Sequence, residues 1–155
     1  MKRTSTWVTP EVVTAYCATT YRVYLPLGMA DIRVGQKTPR VDDWLRAEGL
    51  ICWGLVTAWN PGSQRCSAVE NLRAQDELRR LLLAQNHRFF PGENRADAGD
   101  WPVEPSFFIP ALALRAAHEL ARRFGQNAFL WARTNTAARL VFVHKSPTQT
   151  VLYSR

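Results

Sequence analysis

Residues 50–67, LICWGLVTAWNPGSQRCS, decide how this chain is expected to fold. Residues 50–58 form an almost continuous apolar run, which predicts a central strand that is covered on both faces of its sheet. A polar turn follows at 59–63. Ser67 and Glu70 then make a capping-box pattern, which predicts the start of a helix. A buried strand therefore leads through a polar turn into a capped helix, and the other elements are placed around this unit.

Patterns on either side of this unit predict further helices and strands. Upstream, threonine-proline pairs at 9–10 and 38–39 each place a capping hydroxyl before a first-turn proline, which predicts two helices. Between these helix starts, residues 21–25 and 30–34 are typical of the strands of a hairpin. Downstream, the patterns predict a helix at 112–124 and strands at 88–91, 106–110, 128–132 and 139–143.

This alternation of strands and helices predicts a single α/β (α+β) domain over residues 1–145, followed by a C-terminal tail at 146–155. We expect a mixed β-sheet of about five to seven strands, flanked by about four helices. Strands that a helix connects are normally parallel, so the strands at 50–58 and 88–91 are expected to end at the same edge of the sheet.

Three polar segments are expected to meet at that edge. They are the turn at 57–67, the loop at 91–106 and the short connection at 125–127. The strand after the loop is expected to run back, and the next helix returns the chain to the same edge. Ligands of open sheets bind where strand ends and connections diverge, so these segments predict one binding crevice.

Length and composition are those of a globular domain: 155 residues, 46% hydrophobic and 21% charged. No apolar run approaches the roughly 20 residues that span a bilayer, and the amino terminus has no signal-peptide pattern. These features predict a cytoplasmic protein that does not bind membranes. The 3 cysteines lack the spacing of a zinc site or a disulfide framework, so no metal site is predicted.

Five short motifs resemble those of the bacterial domain-of-unknown-function family 3293. In chain order they begin at Thr57 (TAWNP, with Ser63), Glu70 (EN), Pro91 (PGE), Trp101 (WPVEPS) and Phe124 (FGQNA). The resemblance spans about residues 12 to 143. It implies a bacterial single-domain protein and supplies neither an activity nor a cofactor. Where the family pattern leads us to expect a glycine, this chain has Asn94, which is expected to alter the turn of that loop.

The polar segments supply the candidate site residues. A carboxylate beside a strand end is suited to general acid or base work, and the predicted acid or base is Glu93 or Glu104. Hydroxyl, amide and indole groups are expected to hold a small polar or anionic ligand. The predicted ligand-binding residues are Thr57, Asn60, Ser63, Asn71, Trp101, Ser106, Gln126 and Asn127.

Two alternatives stay open at this point. The net charge of +7 favours an anionic partner, so one alternative is a nucleic-acid-binding protein with a basic helical face. Its predicted phosphate contacts are Arg73, Arg79, Arg80, Arg122 and Arg123. The other alternative is a structural or partner-binding module, in which the polar segments only hold loops together. The sequence does not decide between a binding protein and an enzyme.

Overall fold

A computed structural model describes residues 9–143, and the tail predicted at 146–155 lies outside them. The described residues form four α-helices, one 3-10 turn and seven strands. The helices are α1 (Pro10–Cys17), α2 (Pro39–Ala47), α3 (Ala68–Ala84) and α4 (Leu114–Arg123), and the 3-10 turn is Pro61–Ser63. The strands are β1 (Thr19–Leu25), β2 (Gly28–Ile32), β3 (Cys52–Val56), β4 (Phe90–Ala96), β5 (Glu104–Pro110), β6 (Ala128–Arg133) and β7 (Arg139–Phe142). The predicted fold class, α+β in a single domain, is confirmed.

The strands form one sheet in the order β2-β1-β4-β5-β3-β6-β7, and every neighbouring pair is antiparallel. The sheet is therefore antiparallel rather than mixed. The two strands joined through α3, β3 and β4, do run in the same direction, because β5 pairs antiparallel with both of them. The prediction missed that β5 turns back into the gap between them.

The expected loop at 91–106 is largely a β-hairpin. β4 and β5 pair from Phe90–Phe108 to Asn94–Glu104, so only residues 97–103 connect the strands. Gly92 and two prolines within the strands gave this stretch the composition of a loop. Only glycine fits at position 92 without a shift of its neighbours, because a Cβ there would lie 2.7 Å from Ser106 Oγ and 2.9 Å from the Arg22 carbonyl oxygen. Asn94 lies in β4 and not in a turn, so the expected change of turn does not occur.

The two faces of the sheet have separate cores. On the face that we call inner, buried side chains from six strands join one cluster, among them Ile32 of β2 and Leu140 of β7, the two outermost strands. The sheet is curled, so this face is concave. Backbone hydrogen bonds from Gly35 to Ala138 and from Ala138 to Gln36 connect its two margins. The outer face packs against α3 and α4, through residues such as Leu78 and Leu120.

Helices α1 and α2 both lie on the inner face, at opposite ends. Helix α2 follows β2, and its Trp44 packs edge-on against Phe90 and tilted against Phe108. Helix α1 precedes β1, at the end where β3 and β4 finish and β5 and β6 begin. The curled sheet therefore has one end occupied by α2 and one covered by α1.

Local signals explain most helix boundaries. Ser67 and Glu70 form the predicted capping box at the start of α3, and Thr9 caps α1 through the Val12 amide. Thr38 makes no side-chain capping bond, in contrast to the prediction, although Pro39 opens α2 as expected. None of the helices in residues 9–143 has the length and the apolar character needed to cross a membrane.

Candidate functional site

The three predicted polar segments come together at the α1 end of the inner face. Asn60 Nδ2 donates to Glu104 Oε1 over 2.9 Å, which joins the turn after β3 to the start of β5. Gln126 Nε2 donates to the Trp59 carbonyl oxygen over 3.1 Å. Gly62 donates its backbone N–H to the Gly125 carbonyl oxygen over 2.9 Å, so the connection after α4 is bonded to the same turn.

A cavity of about 480 Å³ lies among these segments, between α1 and the inner face of the sheet. Helix α1 contributes Glu11, Val12, Ala15 and Tyr16 to its wall. The apolar part of the sheet wall includes Leu55, Ala128, Leu130 and Leu140 of the inner face. Thr57, Trp59, Asn60, Ser63, Trp101, Glu104 and Gln126 supply polar and aromatic groups from the converging segments. We call this space the α1 cavity.

Asn60 fixes the shape of the turn beside the α1 cavity. Its backbone is left-handed, with φ of 45°, a conformation that asparagine tolerates better than most residues. Asn71 on α3 makes two hydrogen bonds to Asn60, each over 2.8 Å: Asn71 Oδ1 accepts from the Asn60 backbone N–H, and Asn71 Nδ2 donates to Asn60 Oδ1. The Cys66 amide donates to the same Oδ1 over 2.9 Å. Asn71 is buried behind the turn, so it positions Asn60 and does not line the cavity.

Glu104 lines the cavity, and one of its two carboxylate oxygens accepts both of its hydrogen bonds. Oε1 accepts hydrogen bonds from Asn60 Nδ2 and from Trp101 Nε1, each over 2.9 Å. No residue between 9 and 143 donates a hydrogen bond to Oε2 or forms an ion pair with this carboxylate. Burial raises the pKa of Glu104 above the ordinary value of a glutamate, and the bonds from Asn60 and Trp101 oppose that rise only in part.

Tyr16 brings α1 into the same group of polar side chains. Its hydroxyl lies 3.5 Å from Ser63 Oγ, which accepts a 3.0 Å hydrogen bond from Asn127 Nδ2. Burial raises the pKa of the Tyr16 phenol, and the nearby negative charge of Glu104 raises it further. The hydroxyl of Tyr16 is therefore a neutral hydrogen-bonding group at ordinary pH.

Two predicted ligand-binding hydroxyls lie on neighbouring segments, Thr57 directly after β3 and Ser106 within β5. Thr57 Oγ1 donates to the Pro105 carbonyl oxygen over 2.7 Å and accepts the Trp59 amide over 3.0 Å. Its role in the structure is thus to hold the strand ends together. Ser106 is buried at 2% exposure, and its Oγ has no hydrogen-bond partner among the described residues. Ser106 does not line the cavity.

Glu93, the other predicted acid or base, is not brought to the cavity. It pairs with Arg22 in the β1–β4 register, whereas the neighbouring pair, Tyr21 and Asn94, faces the inner side. Successive strand residues point to opposite faces, so Glu93 lies on the outer face. There its Oε2 forms an ion pair with Arg95 Nη1 over 2.9 Å. Trp101, in contrast, both lines the cavity and bonds to Glu104, and the Arg65 guanidinium lies 5.0 Å from its ring centre.

The sequence did not indicate several residues of the cavity wall. Tyr16 and Glu11 were missed because no rule placed α1 relative to the strand edge. Asn94 and Asp97 were missed because the β4–β5 hairpin was taken for a loop. Asp97 accepts hydrogen bonds from Arg33 and from the Thr20 hydroxyl, and these lower the pKa of its carboxyl, with the Arg33 bonds as the larger cause.

The predicted basic face on α3 and α4 is partly neutralised by its own acids. Asp76 binds Arg79 and Arg80, each over 2.8 Å, and Glu77 lies 3.6 Å from Arg123. Arg73 and Arg122 are exposed beside these pairs. In the described part of the chain no group of three His, Cys, Asp or Glu residues is arranged to hold a metal ion.

Comparison with known proteins supports the family resemblance. A family model described as a protein of unknown function (DUF3293) matches residues 56–129. This span runs from the end of β3 to the start of β6, and it contains Asn60, Asn71, Glu104 and Gln126. The predicted family resemblance is confirmed over these residues. No curated protein and no solved structure matches the chain.

Proposed function

We propose that this chain, whose residues 56–129 match that family of unknown function, binds a small organic molecule in the α1 cavity. Glu104 is the polar anchor of the ligand. The observation that carries the proposal is the one-sided bonding of the carboxylate of this cavity-lining residue: Oε1 receives two donors, and Oε2 receives none from the described residues.

The size and lining of the cavity support a small-molecule ligand. A volume of about 480 Å³ lies within the ordinary range of ligand pockets, and the walls combine a largely apolar sheet surface with a few polar groups. Because a well-packed interior leaves few voids larger than a water molecule, an unfilled space of this size costs packing contacts. A ligand that fills the space recovers those contacts.

The other two predicted functions have less support. The arginines proposed as phosphate contacts include three that are bound to Asp76 or Glu77. A purely structural role accounts for Asn71, Thr57 and Gln126, because their polar groups are bonded to neighbouring backbone or side chains. It does not account for the free oxygen of Glu104 or for the volume beside it.

The predicted role of Glu104 as a general acid or base stays a prediction. Burial, which raises the pKa of this carboxyl, moves it toward the range where an acid or base works best near neutral pH. The same residue, Glu104, would serve as the ligand anchor and as the acid or base, so the two roles are compatible. The cytoplasmic location and the bacterial origin also stay predictions.

The proposal is tested by blocking the cavity from α1. Ala15 lines the cavity but makes no contact with the Glu104 hydrogen bonds, so Ala15→Trp fills the space and leaves the anchor in place. N-phenyl-1-naphthylamine, whose fluorescence rises in apolar surroundings, is titrated into the wild type and the variant. We expect affinity to fall by roughly tenfold or more, the equivalent of about 1.4 kcal/mol.

Ala47→Trp is the matched control, because Ala47 is an exposed alanine at the end of α2, away from the cavity. It should bind the dye like the wild type. Equal dye binding by Ala15→Trp and the wild type, with both proteins folded by circular dichroism, contradicts the proposal. Absence of dye binding in the wild type contradicts it as well.

A further inference from the structure

We infer that the molecule bound in the α1 cavity is an organic cation: an apolar body that ends in an amine or another positively charged hydrogen-bond donor. This inference rests on the proposed binding function and names the chemical class of its ligand. It follows from a count of the donors and acceptors that the cavity wall leaves free, from the signs of the wall charges, and from the aromatic groups beside them.

The hydrogen-bond donors of the wall are largely used within the protein. The Thr57 hydroxyl donates to the Pro105 carbonyl oxygen, and the Gln126 amide donates to the Trp59 carbonyl oxygen. The Asn60 amide and the Trp101 indole N–H both donate to Glu104. A ligand rich in acceptors, such as a carboxylate or a phosphate, therefore finds few free donors.

One charged hydrogen-bonding atom of the wall is left free, and it is an acceptor. Glu104 Oε2 has no donor among the described residues, as shown above. Asn94 Oδ1 is buried and lacks a hydrogen-bond partner within residues 9–143. Asn94 and Glu104 are directly paired across β4 and β5 on the inner face, so their side chains start only about 4.5–5.5 Å apart. Asn94 Oδ1 is enclosed, so it adds negative partial charge beside Glu104 and no direct contact with the ligand. The free oxygen of Glu104 calls for a ligand end that donates hydrogen bonds, which an ammonium group provides.

The charges of the wall have one sign. Its charged residues in the described part of the chain are Glu11, Asp97 and Glu104, and none is basic. The chain as a whole carries +7, so the cavity is an acidic place in a basic protein. Asp97 is already paired with Arg33, which leaves Glu104 and Glu11 to act on a ligand. A cation gains a counter-charge here, whereas an anion meets an uncompensated carboxylate in a partly buried site.

Aromatic rings surround the same space. Tyr16, Tyr21 and Trp59 line the cavity, as does Trp101, whose ring already has the Arg65 guanidinium 5.0 Å from its centre. An aromatic face attracts a cation electrostatically. The wall therefore suits a cation through the free oxygen of Glu104 and through its rings, while the aliphatic sheet residues receive the apolar body of the ligand.

The test uses three probes that share one indole ring and differ in the end group: tryptamine, tryptophol and indole-3-acetate. The indole N–H signal of Trp101, which is bonded to Glu104, reports binding in titrations followed by NMR. We expect tryptamine to bind at least about tenfold more tightly than tryptophol, with indole-3-acetate the weakest. Glu104→Gln should bring tryptamine and tryptophol to within about twofold of each other, while N-phenyl-1-naphthylamine still binds.

Glu93→Gln is the matched control, because it makes the same change of charge on the outer face. It should keep the preference for tryptamine. Equal or weaker binding of tryptamine than of tryptophol, or a preference that survives Glu104→Gln, overturns the cationic ligand. Failure of tryptamine to bind a protein that binds the dye overturns it too, and leaves the cavity proposal standing. If the wild type does not bind N-phenyl-1-naphthylamine, both proposals are removed.

Discussion

The two ends of the inner face are packed in opposite ways. At one end α2 buries Val41 and Leu45 completely, and its Trp44 packs on two phenylalanines. At the other end α1 has no residue that is fully buried, and the α1 cavity lies beneath it. Both helices begin with a threonine-proline pair and have similar lengths, so the difference lies in the side chains that they place on the sheet.

This contrast separates stability from function within one fold. The α2 end has the dense packing that contributes most to folding free energy. The α1 end lacks such packing, and Tyr16, Asn60 and Glu104 line the α1 cavity there. Binding sites commonly forgo local stability in this way, so the contrast predicts where substitutions act on folding and where they act on ligand binding.

The largest expected effect is on the α2 end. Val41→Ala removes two methyl groups from a fully buried site, and should lower the free energy of unfolding by roughly 2–3 kcal/mol. Val13 of α1 is only partly buried against the same core, so Val13→Ala should cost less than about 1 kcal/mol. Urea unfolding of both variants measures the difference. Equal losses would mean that the two ends are packed alike.

The sequence predicted the parts of this fold that depend on local signals and one topological rule. The apolar run at 50–58 and the Ser67 capping box correctly placed β3 and α3. The parallel direction of β3 and β4 followed from the connecting helix, and this direction brings Asn60, Glu104 and Gln126 together. The location of these residues at one end of the sheet was thus available from the sequence, although their function was not.

Other parts depend on contacts that a sequence pattern does not reveal. Pro91, Gly92 and Pro105 gave the β4–β5 hairpin the composition of a loop. A glycine is required at position 92 because Ser106 and Arg22 of neighbouring strands approach it closely, and the sequence does not reveal that contact. That error left Glu93 beside Glu104 as a candidate, when alternation along the strand puts the two on different faces. The position of α1 depends on side-chain contacts with distant segments, so Tyr16 and the cavity beneath it were not predicted.

A smaller effect is expected where the turn beside the cavity is held from α3. Asn71→Ala leaves the buried backbone N–H of Asn60 without a partner, and should lower the free energy of unfolding by about 1–2 kcal/mol. Asn60 keeps its bonds to Cys66 and Glu104, so the turn loosens but the fold persists. Because Asn60 positions Glu104, tryptamine should also bind more weakly to this variant.

Arg73→Ala is the control for that change, since Arg73 is an exposed residue of α3 and is two positions away. It should alter neither urea unfolding nor the titration. If Asn71→Ala weakens the fold and leaves tryptamine binding unchanged, then Asn71 serves the scaffold alone, and the positioning of Glu104 does not depend on it.

The smallest effect, and the one that most sharply compares two acids of the same cavity, is the pH dependence of stability. Burial raises the pKa of Glu104 in the folded protein, so ionisation of this carboxyl costs folding free energy as pH rises from the ordinary glutamate value through the raised one. Hydrogen bonds from Arg33 and Thr20 lower the pKa of Asp97, so its contribution is present at neutral pH and is lost as pH falls. The two carboxylates therefore respond to pH with opposite signs.

Thermal unfolding of Glu104→Gln and Asp97→Asn between pH 2 and 8 measures this opposition, over a range that brackets the ordinary carboxyl pKa values of about 4. At neutral pH Glu104→Gln should melt at the same temperature as the wild type or higher, because the variant has no buried charge to desolvate. Its advantage should shrink on acidification, as the wild-type carboxyl takes up a proton. Asp97→Asn should melt lower than the wild type at neutral pH, and that deficit should shrink only below about pH 4, because the pKa of Asp97 lies below its ordinary value. A clear loss of stability in Glu104→Gln at neutral pH would show that the carboxylate is fully satisfied by Asn60 and Trp101, and would remove the reason to assign its free oxygen to a ligand.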